Sequence, residues 1–188
     1  MNANIVIIIS LLVLLLLLVI PTRMYLQRRY IKNYSFPNSI KLKISKHYPN
    51  LEKKQFNFIL EGLKQFFIIN NRANKKSVAM PSQAVDVAWH EFILHTKAYD
   101  SFCKKAVGRF LHHTPTEAMN SPTIAKIGIK RAWQLSCKEE KICSDNPLKL
   151  QYCLILMVNW RFLMDINTPQ TVMVVAQQIW IIHFVQVT

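Results

Sequence analysis

The chain is 188 residues long and carries 24 Lys plus Arg against 10 Asp plus Glu, a formal charge of +14. Only three glycines occur, Gly62, Gly108 and Gly128, too few for the turns of an all-β domain. Cys103, Cys137, Cys143 and Cys153 form no CxxC pair, and Cys137 and Cys143 stand six apart, which excludes a zinc ribbon.

From Ile5 to Ile20 the chain is an apolar run broken only by Ser10. As a helix, residues 1–22 cover about 33 Å, enough to cross the hydrocarbon core of a bilayer. A cleaved secretory signal would carry a basic start, a shorter apolar stretch and a small-residue cleavage site. Met1-Asn2-Ala3-Asn4 has no charged side chain, and Val19-Ile20-Pro21-Thr22-Arg23 has no A-x-A character, so a retained anchor at 1–22 is expected. Arg23, Arg28, Arg29 and Lys32 follow the run and no Lys or Arg precedes it. The positive-inside rule then places everything from Arg23 onward in the cytoplasm.

The excess charge is concentrated beside the anchor. Residues 23–76 hold thirteen Lys or Arg and two acids, whereas 77–145 hold nine and seven. A basic juxtamembrane segment, here 23–37, is attracted to anionic headgroups by roughly 1 kcal/mol per cation near the surface. A solvated basic face that merely obeys the positive-inside rule is the plainer alternative. Nucleic acid is not expected as a partner, because no base-reading motif accompanies the charge; a protein partner remains open. In the cytoplasm the cysteines are expected as free thiols.

The body reads as one domain over 38–149. Residues 38–47 form a short amphipathic helix candidate with Ile40 and Ile44 on one face. Pro49-Asn50 offers a turn. Residues 51–71 place Phe56, Ile59, Leu60, Leu63, Phe66 and Phe67 at helical spacing, and 70–76 is a polar, basic loop. Pro81-Ser82 starts a helix expected to run unbroken from 82 to 107 and to stop at Gly108. Residues 124–138 form the last helix. The expected fold class is all-α: an N-terminal transmembrane helix followed by a small helical bundle.

The densest chemistry lies in Asp86, Trp89, His90, Glu91 and His95. A zincin needs two histidines four apart on one helical face. His90 and His95 are five apart, about 140° around the helix, so they share no ligand face. Asp86 and His90 do share one, and a carboxylate one turn before a His can fix its tautomer. Further donors would come from His112 and His113, with Cys103 a weaker contributor. Asp86, His90, His112 and His113 are therefore the candidate ligands of a divalent transition metal. The plain alternative is a core His satisfied by Asp86, with Trp89 filling space beside it. No nucleophile elbow supports Ser/His/Asp hydrolysis.

Asp86-x-x-Trp89-His90, then Tyr99, Phe102-Cys103, Gly108, Leu111 and His112-His113, resembles the signature of the glycine-rich domain-containing protein-like family, most clearly over 80–115. The resemblance implies an all-helical domain and marks Asp86, His90 and His112 or His113 as its site positions; it implies no reaction. Many members carry Trp-His-x-His where this chain has Phe92, and the family's glycine-rich segment is absent here.

From Leu150 the character changes. Residues 151–188 hold one acid, Asp165, one base, Arg161, and no glycine. As a second span, 171–187 would bury Gln177, Gln178 and His183 in hydrocarbon at high cost. A buried strand pair is one alternative; a shifted reading frame is another. Moving back one nucleotide turns Met157-Val158 into Gly and Asn159-Trp160 into Leu, whatever synonymous codons are used. The result reads as a soluble, turn-containing sequence. The functional expectation is a single-pass membrane-anchored protein with a cytoplasmic binding or scaffold domain. Its rival is a metal-binding or enzymatic domain built on the Asp/His cluster.

Overall fold

The computed structural model describes residues 3–51, 53–80, 82–113 and 122–141. The atypical tail at 150–188, and with it the frame question, lies outside them. Among the described residues the fold is all-α, with six helices: α1 (Ala3–Asn33), α2 (Asn38–His47), α3 (Lys53–Arg72), α4 (Gln83–Leu94), α5 (Thr96–Ala106) and α6 (Pro122–Glu140).

One long helix serves two environments. The apolar part of α1 is wholly unburied and long enough to cross a membrane. Its two hydroxyls are satisfied within the helix, Ser10 on the Ile7 carbonyl at 2.8 Å and Thr22 on the Leu18 carbonyl at 2.6 Å. Such bonds are what a hydroxyl needs where no water is available. Beyond Arg23, the stretch read as a basic linker continues as helix to Asn33, and Ile31 is fully buried in the core. α1 is thus both the anchor and the first helix of the bundle.

α2 behaves as its spacing predicts, burying Ile40 and Ile44 while Lys41, Lys43 and Lys46 face solvent. α3 presents Ile59, Leu63, Phe66 and Phe67 to the centre. Around them Phe92, Phe102 and Tyr34 form an aromatic cluster, with Phe67 and Phe102 centroids 4.7 Å apart and Tyr34 and Phe102 at 4.5 Å. Burying each such ring contributes about 1.5–3 kcal/mol, and each tilted or edge-to-face pair adds about 0.5–1.5 kcal/mol. α6 closes the bundle through Ala132, Trp133 and Cys137. A Cβ on its Gly128 would meet the Ala79 Cβ at 2.9 Å, so this close approach requires glycine.

The expected unbroken helix over 82–107 is two helices. The chain bends at His95 (φ −81°, ψ 58°), whose N–H is drawn to the Phe92 carbonyl at 3.0 Å and whose ring bonds the Ser39 hydroxyl at 3.0 Å. Packing explains the bend. In a straight helix Trp89 and Tyr99 would stand about 15 Å apart along the axis; here the Trp89 indole N–H donates to the Tyr99 hydroxyl at 3.0 Å. Folding α5 back on α4 lets both helices bury their apolar faces in one core. Gly108 ends α5 in the left-handed region (φ 78°), as its position predicts.

Candidate metal centre

α4 begins at Ser82, whose hydroxyl accepts the Val85 N–H at 3.5 Å and whose carbonyl accepts the Asp86 N–H at 2.9 Å. Asp86 therefore sits in the first turn, where the helix dipole favours a carboxylate. One turn on, His90 places Nε2 3.5 Å from Asp86 Oδ2. His113 arrives from the segment after α5 and places its Nε2 2.9 Å from Asp86 Oδ1. The two imidazoles meet edge to face with centroids 4.1 Å apart. Asp86, His90 and His113 each offer one ligand atom, and the three atoms lie within 4.8 Å of one another.

Of the four sequence candidates, the fold brings three together and leaves His112 apart. The His112 ring is exposed and rests on Phe110 at 4.9 Å. His95 is tied to Ser39, and Cys103 is buried on α5. Burial raises the Cys103 thiol above its ordinary pKa, and the hydrogen bond from the Leu111 amide only partly opposes this. It is therefore held as a thiol, not as the thiolate a nucleophile or ligand needs.

A feature that sequence spacing does not reveal holds His113 in place. The Tyr99 hydroxyl donates to the Leu111 carbonyl at 2.6 Å while accepting from Trp89. Burial raises the Tyr99 phenol far above its ordinary pKa, so it stays a donor. This fixes the backbone two residues before His113, and the Trp89 ring supports the His113 imidazole edge to face at 4.6 Å. In the sequence Tyr99 stood out only as a position of the family-like signature; its tie to Leu111 depends on the bend at His95.

Two imidazoles and a carboxylate are donors that zinc, iron and their neighbours accept. Around an ion with bonds of about 2.1 Å, ligand atoms stand roughly 3.0–3.4 Å apart. Asp86 Oδ1 and His113 Nε2, at 2.9 Å, and Asp86 Oδ2 and His90 Nε2, at 3.5 Å, already stand near that spacing. His90 is exposed, so the cluster is open to solvent on that side.

The fold and the cluster define a membrane-associated helical domain with a His/His/Asp centre. The chain belongs to the UCP032817-like family, which matches residues 26–163. That match overturns the resemblance to the glycine-rich domain-containing protein-like family: the shared Asp, Trp and His positions lie inside a different family's boundaries. No curated protein and no solved structure matches the chain.

Proposed function

We propose that the protein is a single-pass membrane protein holding its bundle on the cytoplasmic side as a binding module. Its centre binds a divalent transition metal through Asp86, His90 and His113. The observation carrying the second statement is the convergence of three ligand atoms from two separate chain segments within 4.8 Å. The orientation rests on the basic flank that follows the span and has no counterpart before it. Anionic headgroups are the partner that this flank suits.

Metal analysis of the full-length protein in detergent tests the centre. Stoichiometric zinc or iron is expected, lost on His90→Ala and on His113→Ala with the helical signal intact, and kept on His112→Ala. A folded protein free of metal after growth and reconstitution with either ion would refute the proposal and leave Asp86 as a carboxylate satisfied by two histidines. The exposed side of the cluster at His90 favours an enzymatic variant of this reading, since a catalytic metal needs an open position. The domain is proposed to end near 149, with a shifted frame one reading of the tail at 150–188. The family match runs past that point to 163, so sequencing the locus decides the matter.

A further inference from the structure

We infer that one end of the bundle, formed by the 73–76 turn, the 107–110 loop and the C-terminal ends of α5 and α6, is a docking face for the anionic lipid headgroups of the bilayer that anchors it. This rests on the proposed membrane anchor and extends it from the α1 flank to the folded domain.

The geometry comes from α1. Thr22 ends the expected anchor, Met24, Tyr25 and Leu26 are exposed, and Gln27 is hydrogen-bonded to the bundle, its Oε1 accepting from Asn71 Nδ2 at 2.9 Å. From Thr22 to Gln27 the helix rises about 7.5 Å. The headgroup layer on each side of the hydrocarbon is about 5–8 Å deep. The bundle therefore starts at the headgroups.

Three helices run back toward that level. α3 is antiparallel to α1: Lys64 Nζ donates to the Lys32 carbonyl at 3.0 Å, and seven residues on, Asn71 reaches Gln27. α5 does the same, from Phe102 against Tyr34 to the Ala106 carbonyl, which accepts from Asn71 at 2.9 Å. Gly108 then lies so close to Arg23 that a Cβ there would meet the guanidinium at 2.8 Å. α6 ends with Glu139, which pairs with Arg28 of α1 and, at 2.9 Å, with Arg72 of α3.

Three helix C-termini facing a membrane would by themselves repel phosphate, with about half a negative charge each. Six cations reverse the sign: Lys75, Lys76, Lys105, Arg109, Lys138 and Lys141, five of them exposed. Against them stand Glu139, held by two arginines, and Glu140. Lys104 is left out of the count because Asp100 holds it at 2.6 Å. Asn74 and Lys75 both adopt positive φ (48° and 69°), which turns the chain sharply at this end. Phe110, 40% exposed beside Arg109, suits the interfacial layer where aromatic rings accumulate.

Hydrogen exchange on the full-length protein in nanodiscs tests the face. Discs of phosphatidylcholine alone are compared with discs containing about one-third phosphatidylserine. Amides of 73–76 and 107–110 are expected to exchange about tenfold more slowly in the anionic discs, with core amides of α3 and α4 unchanged. The triple variant Lys75→Gln, Lys76→Gln, Arg109→Gln should remove that difference while remaining in the disc. Equal exchange in both discs, or slowing that the triple variant retains, would overturn the inference. Slowing produced by an RNA oligonucleotide in neutral discs, and not by phosphatidylserine, would overturn it in favour of nucleic acid. Failure to incorporate into discs at all would instead sink the anchor on which it rests.

Discussion

Replacing Tyr99 by Phe removes a single oxygen and tests how the fold supports the centre. That hydroxyl is buried, accepts from the Trp89 indole at 3.0 Å and donates to the Leu111 carbonyl at 2.6 Å. Both partners are themselves buried. Leaving a buried donor or acceptor unsatisfied costs about 1–3 kcal/mol, so two orphaned groups cost about 2–5 kcal/mol after partial relaxation. That is a large share of the roughly 5–15 kcal/mol that holds a domain of this size together. The same change frees the 111–113 segment, so metal affinity should fall about 10- to 100-fold, the usual effect of losing a group that orients a ligand. Urea unfolding of the full-length protein in detergent measures the first effect, and competition against a chelating dye measures the second. A stability loss below about 0.5 kcal/mol together with unchanged affinity would refute the linkage of Tyr99 to the centre.

Glu139→Gln should destabilise the bundle by about 1–3 kcal/mol, read as a lower melting temperature: the carboxylate is only 5% exposed and joins Arg28 to Arg72, though both arginines can still reach water. Gly128→Ala should cost about 1–3 kcal/mol by forcing α6 away from Ala79, and an unchanged midpoint would show that the approach is not tight. Thermal stability should fall as pH rises above about 9. Burial raises the Cys103 thiol and the Tyr34, Tyr48 and Tyr99 phenols, so above that pH the unfolded chain releases protons that the folded chain keeps. A melting temperature that is flat or rising between pH 8 and pH 10.5, both ordinary buffer choices, would contradict the sign.

Helix positions were legible in the sequence because periodicity reports burial directly. Ile40 and Ile44 mark α2, and the Ile59-to-Phe67 spacing marks α3. The bend at His95 was not legible. Residues 89–95 carry no glycine or proline, and Phe92, Tyr99 and Phe102 keep helical register through it, so no local signal separates one long helix from two. It is imposed by tertiary contacts: the Ser39 hydroxyl on the His95 ring and the Trp89 to Tyr99 bond. The same limit applied to the cluster. Asp86 and His90 are related by helical geometry, and spacing alone pairs them. The choice between His112 and His113 depends on which neighbour of an irregular segment points inward, and that is fixed by the Leu111 carbonyl bound to Tyr99. The double role of α1 was half visible, because Tyr30 and Ile31 sit in a stretch whose charge dominates its composition.

The continuity of α1 ties the membrane to the centre. A flexible linker would let the bundle tumble and would leave the cluster's distance from the bilayer undefined. Here the helix enters the core without a break, and Ile31 is buried in the same aromatic core that Phe92 and Phe102 build. Gly108 lies against Arg23, one residue beyond Thr22, where the expected anchor ends. From Gly108 to His113 the chain has five residues, a reach of at most about 18 Å when fully extended. That length caps the separation of His113 from the Arg23 level of α1. Substitutions that loosen the contacts between α1, α3 and α5 should therefore disturb the placement of the cluster relative to α1 before they disturb Asp86, His90 and His113 themselves.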